Sequence, residues 1–162
     1  MTTRHLKIKN KGSIKGRFRF RVYKAGTKKL IRQTDWIENL IMLGTNTGLN
    51  IFIKRLLGIK LYDPEITQAK IGTGDTAPAD GDTDLETTVL DNILVAKSTE
   101  DSVGVITLEF FIADSGLEEG EYKEFGIFCG NQLFARSLIS PTYTKSIGED
   151  TQCEYEITLS NT

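Results

Sequence analysis

Apolar and charged residues alternate along the first part of the chain, a pattern typical of β-strands because successive side chains point to opposite faces. The clearest case is IKGRFRFRVYK, residues 14–24, where four cations occupy every second position: Lys15, Arg17, Arg19 and Arg21. A shorter alternation, HLKIKN at 5–10, precedes it, and a less regular run follows the turn-forming AGT. Residues 1–35 therefore predict a basic strand meander or attachment arm.

The apolar period becomes helical in the middle of the chain. In TNTGLNIFIKRLLG, four apolar residues share one helical face: Leu49, Ile53, Leu56 and Leu57. A threonine or asparagine at positions 45–47 can cap the start, and Gly58 can end the helix. We predict one short helix over about residues 47–57.

Strand patterns return after a loop rich in Gly, Asp, Thr and Pro at residues 70–88. The predicted strands are 92–98, 104–114, 122–129, 131–140 and 153–160. Gly130 and Asn131, between two of them, indicate a hairpin turn. Short strands at this spacing favour a mainly β protein, an antiparallel β-sandwich with one helix. We predict a single domain over residues 1–162, with residues 36–162 as the sandwich body.

Charge is divided unequally along the sequence. Residues 1–35 contain twelve Lys or Arg and one acid, whereas residues 36–162 contain eight Lys or Arg and twenty-one acids. The basic face of 15–21 has three interpretations: a solvent-exposed strand face, a nucleic-acid contact, or a surface that docks onto an acidic protein. Nucleic acid is disfavoured, because Phe18 and Phe20 lie on the opposite face and the rest of the chain is acidic. We favour docking, with another copy of the chain as one source of the acids.

Residues that carry catalysis are scarce. The single histidine, His5, has no evident supporting partners, and no catalytic or phosphate-binding motif is present. Cys129 and Cys153 are too few for a disulfide scaffold and predict buried free thiols. No apolar run is long enough to span a bilayer. We expect a protein that is not an enzyme, with no cofactor, no small-molecule substrate and no membrane contact.

The loop at 80–91 has acids at alternating positions that resemble those of a calcium loop: Asp80, Asp82, Asp84 and Glu86. Its sixth position is Leu85, where an EF-hand requires glycine. We expect a solvated surface loop, with a weak structural cation site as the alternative.

Two long segments resemble those of bacteriophage tail proteins. KIGTGDTAPADGDTDLETTV (70–89) is similar to a run with a GTG turn, a TAP turn and D-T-x-L, and EFGIFCGNQLFARS opens a companion C-terminal run over 124–159. ENLIMLGTNTGLNIFIKRLLG resembles the helix that precedes them. The resemblance covers about residues 36–160 and implies a structural β-sandwich of the virion, without catalysis, present in repeated copies.

Tail-fibre proteins commonly continue into a long shaft, whereas this sequence ends at Thr162. We therefore expect a tail collar, neck, baseplate or fibre-anchoring subunit. The alternative is a capsid-surface protein, either a head decoration or head fibre, or a module that contacts packaged DNA through its basic strand. The partners implied are other copies of the chain and other virion proteins. The expected location is the virion, assembled in the bacterial host cytoplasm.

Residues in the matched segments also carry structural expectations. Arg136 can pair with Glu124 on the neighbouring strand, which would fix the register of the two strands. Gly126 between Phe125 and Ile127 suggests a bulge or a close backbone approach. Trp36 is expected in the core, with an interface anchor as the alternative.

Overall fold

The computed structural model describes residues 12–161, so the strand predicted at 5–10 and His5 lie outside the described residues. Over that range the elements are β1 (Gly12–Lys24), β2 (Leu30–Gln33), β3 (Ile37–Ile41), α1 (Gly48–Leu56), β4 (Gln68–Gly72), β5 (Thr88–Ser102), β6 (Val105–Ile112), β7 (Gly120–Cys129), β8 (Gln132–Lys145) and β9 (Glu149–Asn161). A single 3-10 turn occupies Asp114–Gly116. The mainly β prediction and the short central helix are confirmed.

Eight of these strands close into an antiparallel barrel. The order around the barrel is β1-β3-β8-β7-β4-β5-β6-β9, and β9 pairs again with β1 along the whole length of both strands. β2 lies outside the ring and pairs with the last residues of β1. The predicted sandwich is therefore wrong. The physical reason is that the first and last strands of the described chain hydrogen-bond to each other, which leaves no pair of separate sheets.

Strand irregularities allow the sheet to curve. β5 pairs with β4 up to Leu94 and with β6 from Val95 onwards, and its pairing with β6 shifts register between Val95 and Lys97 and between Glu100 and Ser102. Such bulges bend a strand and increase its twist. Gly130 adopts a left-handed φ of 58° in the two-residue turn between β7 and β8, as the Gly130–Asn131 hairpin predicts.

The apolar face of β1 points into the barrel. Phe18, Phe20 and Val22 are buried, and the ring centroids of Phe20 and Tyr143 lie 4.6 Å apart. Phe125 stands at the centre of this aromatic cluster, 5.0 Å from Phe18. Alternation along β1 thus predicts the buried and exposed faces of the strand correctly.

The two cysteines are both buried and free. Burial raises the pKa of Cys129 to about 12, and burial also raises the pKa of Cys153. Thiols with raised pKa values are poor nucleophiles at neutral pH because the thiolate is scarce. Their role is that of small apolar side chains in the core.

Gly16 interrupts the apolar positions of β1 for a steric reason. A Cβ at this position would lie 2.3 Å from Asn39 Oδ1 and 2.3 Å from the Tyr155 hydroxyl. The Asn39 side chain donates a hydrogen bond from Nδ2 to the Tyr155 hydroxyl oxygen. The missing side chain therefore makes room for the polar partner of a fully buried tyrosine.

Candidate assembly surface

The arginines of β1 are neutralised by the last strand of the same chain. Arg17 Nε donates to Glu156 at 2.9 Å, and Arg19 Nε donates to Glu154 at 3.0 Å. The two arginines lie directly opposite these acids in the β1–β9 register. Arg21 Nη2 also lies 3.2 Å from Glu154. The acidic partner of the basic strand is therefore β9, which belongs to the same chain and pairs with β1 in the closed barrel.

Lys15 completes the predicted basic face but lies apart from these ion pairs. It is exposed, and no carboxylate of residues 12–161 lies within 4 Å of it. Exposed ion pairs like those of Arg17 contribute about 0–1 kcal/mol each. Their main effect is to favour the register that matches opposite charges across β1 and β9.

Trp36 lies on the outside of the barrel, so its predicted place in the core is wrong. The guanidinium groups of Arg17 and Arg19 each lie 4.4 Å from the centroid of the indole ring. The ring is half-buried beneath them. Trp36 follows β2 and precedes β3, both of which pair with β1, so its side chain covers the outer face of that strand.

Glu124 and Arg136 are brought together in the structure. Both are buried, and Arg136 Nη2 lies 3.0 Å from Glu124 Oε2. The Glu124 carboxylate also accepts backbone N–H groups of Gly74, Glu86 and Thr87 at 2.7–3.0 Å. The pair thereby anchors both ends of the loop over residues 73–87 to the barrel.

The glycines of the GTG run allow this close approach. A Cβ at Gly72 would lie 2.2 Å from the Thr87 carbonyl oxygen, and one at Gly74 would lie 2.5 Å from Glu124 Oε1. Gly126 shows the close approach that its position suggested, because a Cβ there would lie 2.9 Å from Leu85 Cδ2. Leu85 belongs to the same loop, is buried, and packs against Gly126, so it also holds the loop on the barrel.

The four acids of the possible cation site point to different partners. Asp82 contacts Arg136, Asp84 accepts from Lys70 Nζ at 2.8 Å, and Glu86 accepts from the Thr76 backbone N–H at 2.8 Å. Asp80 is exposed. Within residues 12–161 no group of three or more acidic, histidine or cysteine side chains is arranged to hold a metal ion. Each of three of the four carboxylates is engaged by a separate group.

A second polar cluster surrounds Asp114, just after the end of β6. Lys145 Nζ, which is buried, donates to Asp114 Oδ1 at 2.6 Å. The same oxygen accepts the N–H groups of Gly148 and Glu149. Arg32 Nη2 donates to Glu149 at 2.8 Å, which connects β2 to the start of β9. Asp114 carried no distinguishing signal in the sequence, since it follows an ordinary strand.

This second cluster predicts acid sensitivity. The hydrogen bond from Lys145 lowers the pKa of Asp114 below 3.8, and the hydrogen bond from Arg32 lowers the pKa of Glu149 below 4.5. A carboxyl with a lowered folded-state pKa stabilises the fold fully above its unfolded pKa, and that stabilisation is lost as the pH falls through the folded value. We expect the midpoint of thermal unfolding to be level down to about pH 5 and then to fall.

The measurement is thermal unfolding from pH 7 to pH 2.5 for the wild type and for Asp114→Asn. The variant should be less stable at pH 7 and should lose less on acidification. Glu119→Gln, which removes an exposed carboxylate nearby in the chain, controls for net charge. Parallel curves for the wild type and Asp114→Asn would show that Asp114 does not carry the acid sensitivity.

Helix α1 leaves most of its apolar stripe uncovered. Ile51 is buried, but Leu56 is 88% and Leu57 72% exposed, and Ile53 and Phe52 are also exposed. The sequence predicted Leu49, Ile53, Leu56 and Leu57 as one helical face; α1 contains the first three and Leu57 is its C-cap, while the buried Ile51 lies outside that face. The exposure of this face was not predicted, because an amphipathic helix of a globular protein ordinarily turns its apolar stripe to the core.

Beside α1 the barrel is open. We call this end the mouth; it is a cavity of about 930 Å³ whose inner wall includes Ile66, Leu108, Phe134 and Ile157. Leu49 and Phe52 of α1 form one side of it, and Leu94 and Leu159 form the other. The last two are exposed apolar side chains. Nothing in the sequence indicated the mouth, because its walls come from strands that are distant in the chain.

Phe52, Leu94 and Leu159 are exposed apolar side chains that line the mouth, and Ile53, Leu56 and Leu57 are exposed on and just after the same helix. We group these six residues under the name mouth surface. Large exposed apolar patches of this kind mark interaction sites in soluble proteins. The part of the chain that the structure describes has no helix with the length and apolar character needed to cross a membrane.

No protein-family model, no curated protein and no solved structure matches this chain.

Proposed function

We propose that this chain is a non-enzymatic structural protein of a bacteriophage virion, a tail collar, neck, baseplate or fibre-anchoring subunit that assembles in multiple copies. The observation that carries the proposal is the mouth surface, with the apolar stripe of α1 uncovered at the open end of the barrel. The resemblance of residues 36–160 to phage tail proteins is the reason for proposing a bacteriophage virion as the assembly. A capsid-surface protein is the second candidate, since a head subunit could use the same surface.

The exposed apolar side chains of α1 contribute little hydrophobic free energy unless another molecule covers them. Full burial of one leucine is worth about 1.5–3 kcal/mol, and Leu56 and Leu57 gain little of this in the isolated chain. Contact with another protein would recover that free energy. Assembly therefore explains a feature that folding alone does not.

The buried charged groups support a structural role. Glu124, Arg136, Lys145, Glu149 and Asp150 are all buried, and each is engaged by partners within the chain. Those partners connect loops to strands and strands to each other.

Contact with packaged DNA through β1 receives less support. Arg17, Arg19 and Arg21 already face Glu154 and Glu156, so phosphates would have to compete with carboxylates held in register. Exposed acids on the same face would also repel a polyanion.

The test compares particle incorporation of the wild type with that of Leu56→Glu/Leu57→Glu. Both side chains are exposed, so the variant should fold like the wild type by circular dichroism, while its amount in purified virions should fall at least about tenfold, as two charges placed in an apolar contact predict. Ile147→Glu is the matched control, because Ile147 is exposed in the turn between β8 and β9, at the opposite end of β1 from the mouth.

An antiserum against the purified chain measures its amount in virions prepared with each variant. Absence of the wild-type chain from purified virions would overturn the proposed function. Equal incorporation of the double variant and the wild type would show that the mouth surface is not the contact.

A further inference from the structure

We infer that the mouth is the entrance to a binding site for one alkyl chain, carried by an amphiphile whose head group has no net charge. The ligand is held and not converted, so this inference goes beyond the proposed function. The site is the cavity of about 930 Å³ at the open end of the barrel. Leu56 and Leu57 do not line it, so the cavity and the exposed end of α1 can be tested separately.

The inner wall of the cavity is apolar. Leu108, Phe134 and Ile157 are buried members of the barrel core, and the half-buried Ile66 and Ile106 pack against that core. Within residues 12–161, none of the buried polar or charged side chains lines this cavity. A polar group that entered it would lose hydrogen bonds to water without replacement, so the wall selects an apolar group.

The dimensions of the barrel favour a narrow ligand. An eight-stranded barrel has an interior that side chains fill or that holds one small ligand. The cavity volume lies within the range of about 300–1,000 Å³ that is usual for small-molecule sites. Phe52 of α1 packs edge-on against Phe134, with ring centroids 5.8 Å apart, so this aromatic pair forms one wall. An unbranched alkyl chain is the apolar group that suits such a site.

The charges of the lining indicate the head group. The charged side chains that line the cavity are Lys97 on β5 and Glu65 on the segment before β4, and both are exposed. One cation and one acid give this rim no net charge, which favours a head group that is neutral or zwitterionic. Thr67 and Ser98 add hydroxyl groups to the lining, and a hydroxyl can donate to or accept from such a head group.

The first experiment measures how affinity depends on chain length. Isothermal titration calorimetry of the full chain with hexanol, octanol and decanol gives a dissociation constant for each alcohol. Each added methylene should tighten binding about fourfold while it enters the cavity, which is the factor expected for burial of one methylene group. No measurable binding of decanol, or a gain below about twofold per methylene, would overturn the inference.

The second experiment blocks the cavity. Ile106→Trp places a larger side chain in its wall, so decanol should bind at least about tenfold more weakly. Phe111→Trp is the matched control, because Phe111 lies on the same strand, is 51% exposed and does not line the cavity. Circular dichroism establishes that both variants fold. Equal decanol affinity in the wild type and folded Ile106→Trp would overturn the inference, and the chain-length series decides if that variant does not fold.

Decanoate and decylammonium test the head group, since they share one chain length and carry opposite charges. The wild type should bind the two with affinities within about threefold of each other, because Lys97 and Glu65 cancel at the rim. Lys97→Met should shift the preference towards decylammonium, and Glu65→Gln should shift it towards decanoate. A wild-type preference above about tenfold for either ion would overturn the assignment of a head group without net charge.

The double variant Leu56→Glu/Leu57→Glu separates this inference from the proposed function. Neither residue lines the cavity, so the variant should bind decanol like the wild type while its incorporation into virions falls. Loss of decanol binding in this variant, with the fold intact by circular dichroism, would contradict the position of the site inside the barrel.

Discussion

Replacement of Arg136 by methionine is expected to lower the free energy of unfolding by about 3 kcal/mol, because it leaves the buried Glu124 carboxylate without its cation. Removal of one partner of a buried pair costs about 3–5 kcal/mol. We expect a loss near the lower end of this range of free energies, because Glu124 keeps its backbone N–H donors from Gly74, Glu86 and Thr87. Chemical denaturation measures the change.

A second readout locates the effect. Arg136 Nη2 also donates to the Thr76 carbonyl oxygen at 3.0 Å, so the same substitution releases the loop over residues 73–87. Amide hydrogens of Gly74 and Thr87 should exchange faster with solvent in the variant, while those of β9 should follow global stability alone. Lys123→Met is the matched control, because Lys123 Nζ lies 3.8 Å from an exposed acid, Asp75, and its loss should cost less than about 1 kcal/mol.

A double-substitution cycle then isolates the pair. The double variant Glu124→Gln/Arg136→Met should lose clearly less unfolding free energy than the sum of the two single variants. The reason is that Glu124→Gln removes the buried charge that Arg136→Met leaves unpaired. A loss below that of Lys123→Met, with unchanged exchange in the loop, would show that Arg136 does not hold the loop in place.

The second large effect is expected from Phe110, whose neighbour Phe111 provides an internal comparison. Phe110 is fully buried with its ring centroid 6.2 Å from that of Phe125, whereas Phe111 is 51% exposed. Phe110→Ala should cost about 3–5 kcal/mol, since it removes buried surface and leaves a cavity in the aromatic cluster. Phe111→Ala should cost less than about 1 kcal/mol.

Unfolding free energies of the two variants, measured under the same conditions, test this difference. Phe110→Leu should recover part of the loss, because a leucine fills some of the space that alanine leaves empty. Similar losses for Phe110→Ala and Phe111→Ala would contradict the inward orientation of β6 at this position and, with it, the register of β6 against β9.

Local sequence determined the features that depend on near neighbours in the chain. The alternation of Phe18 and Phe20 with arginines fixed the two faces of β1, because the side-chain period of a strand is two. Gly130–Asn131 fixed the β7–β8 hairpin, and the helical spacing of Leu49, Ile53 and Leu56 located α1. Hairpin pairing then put Arg136 within reach of Glu124.

Only the tertiary structure decided which distant segments meet. No local pattern indicates that β1 pairs with β9, yet this pairing closes the barrel, matches Arg17 and Arg19 with Glu156 and Glu154, and excludes the sandwich. The tertiary structure also forms the mouth from strands distant in the chain and leaves Leu56 and Leu57 exposed. Strand propensity and charge specify what kind of neighbour a segment accepts, whereas the choice among acceptable neighbours depends on the packing of the whole chain.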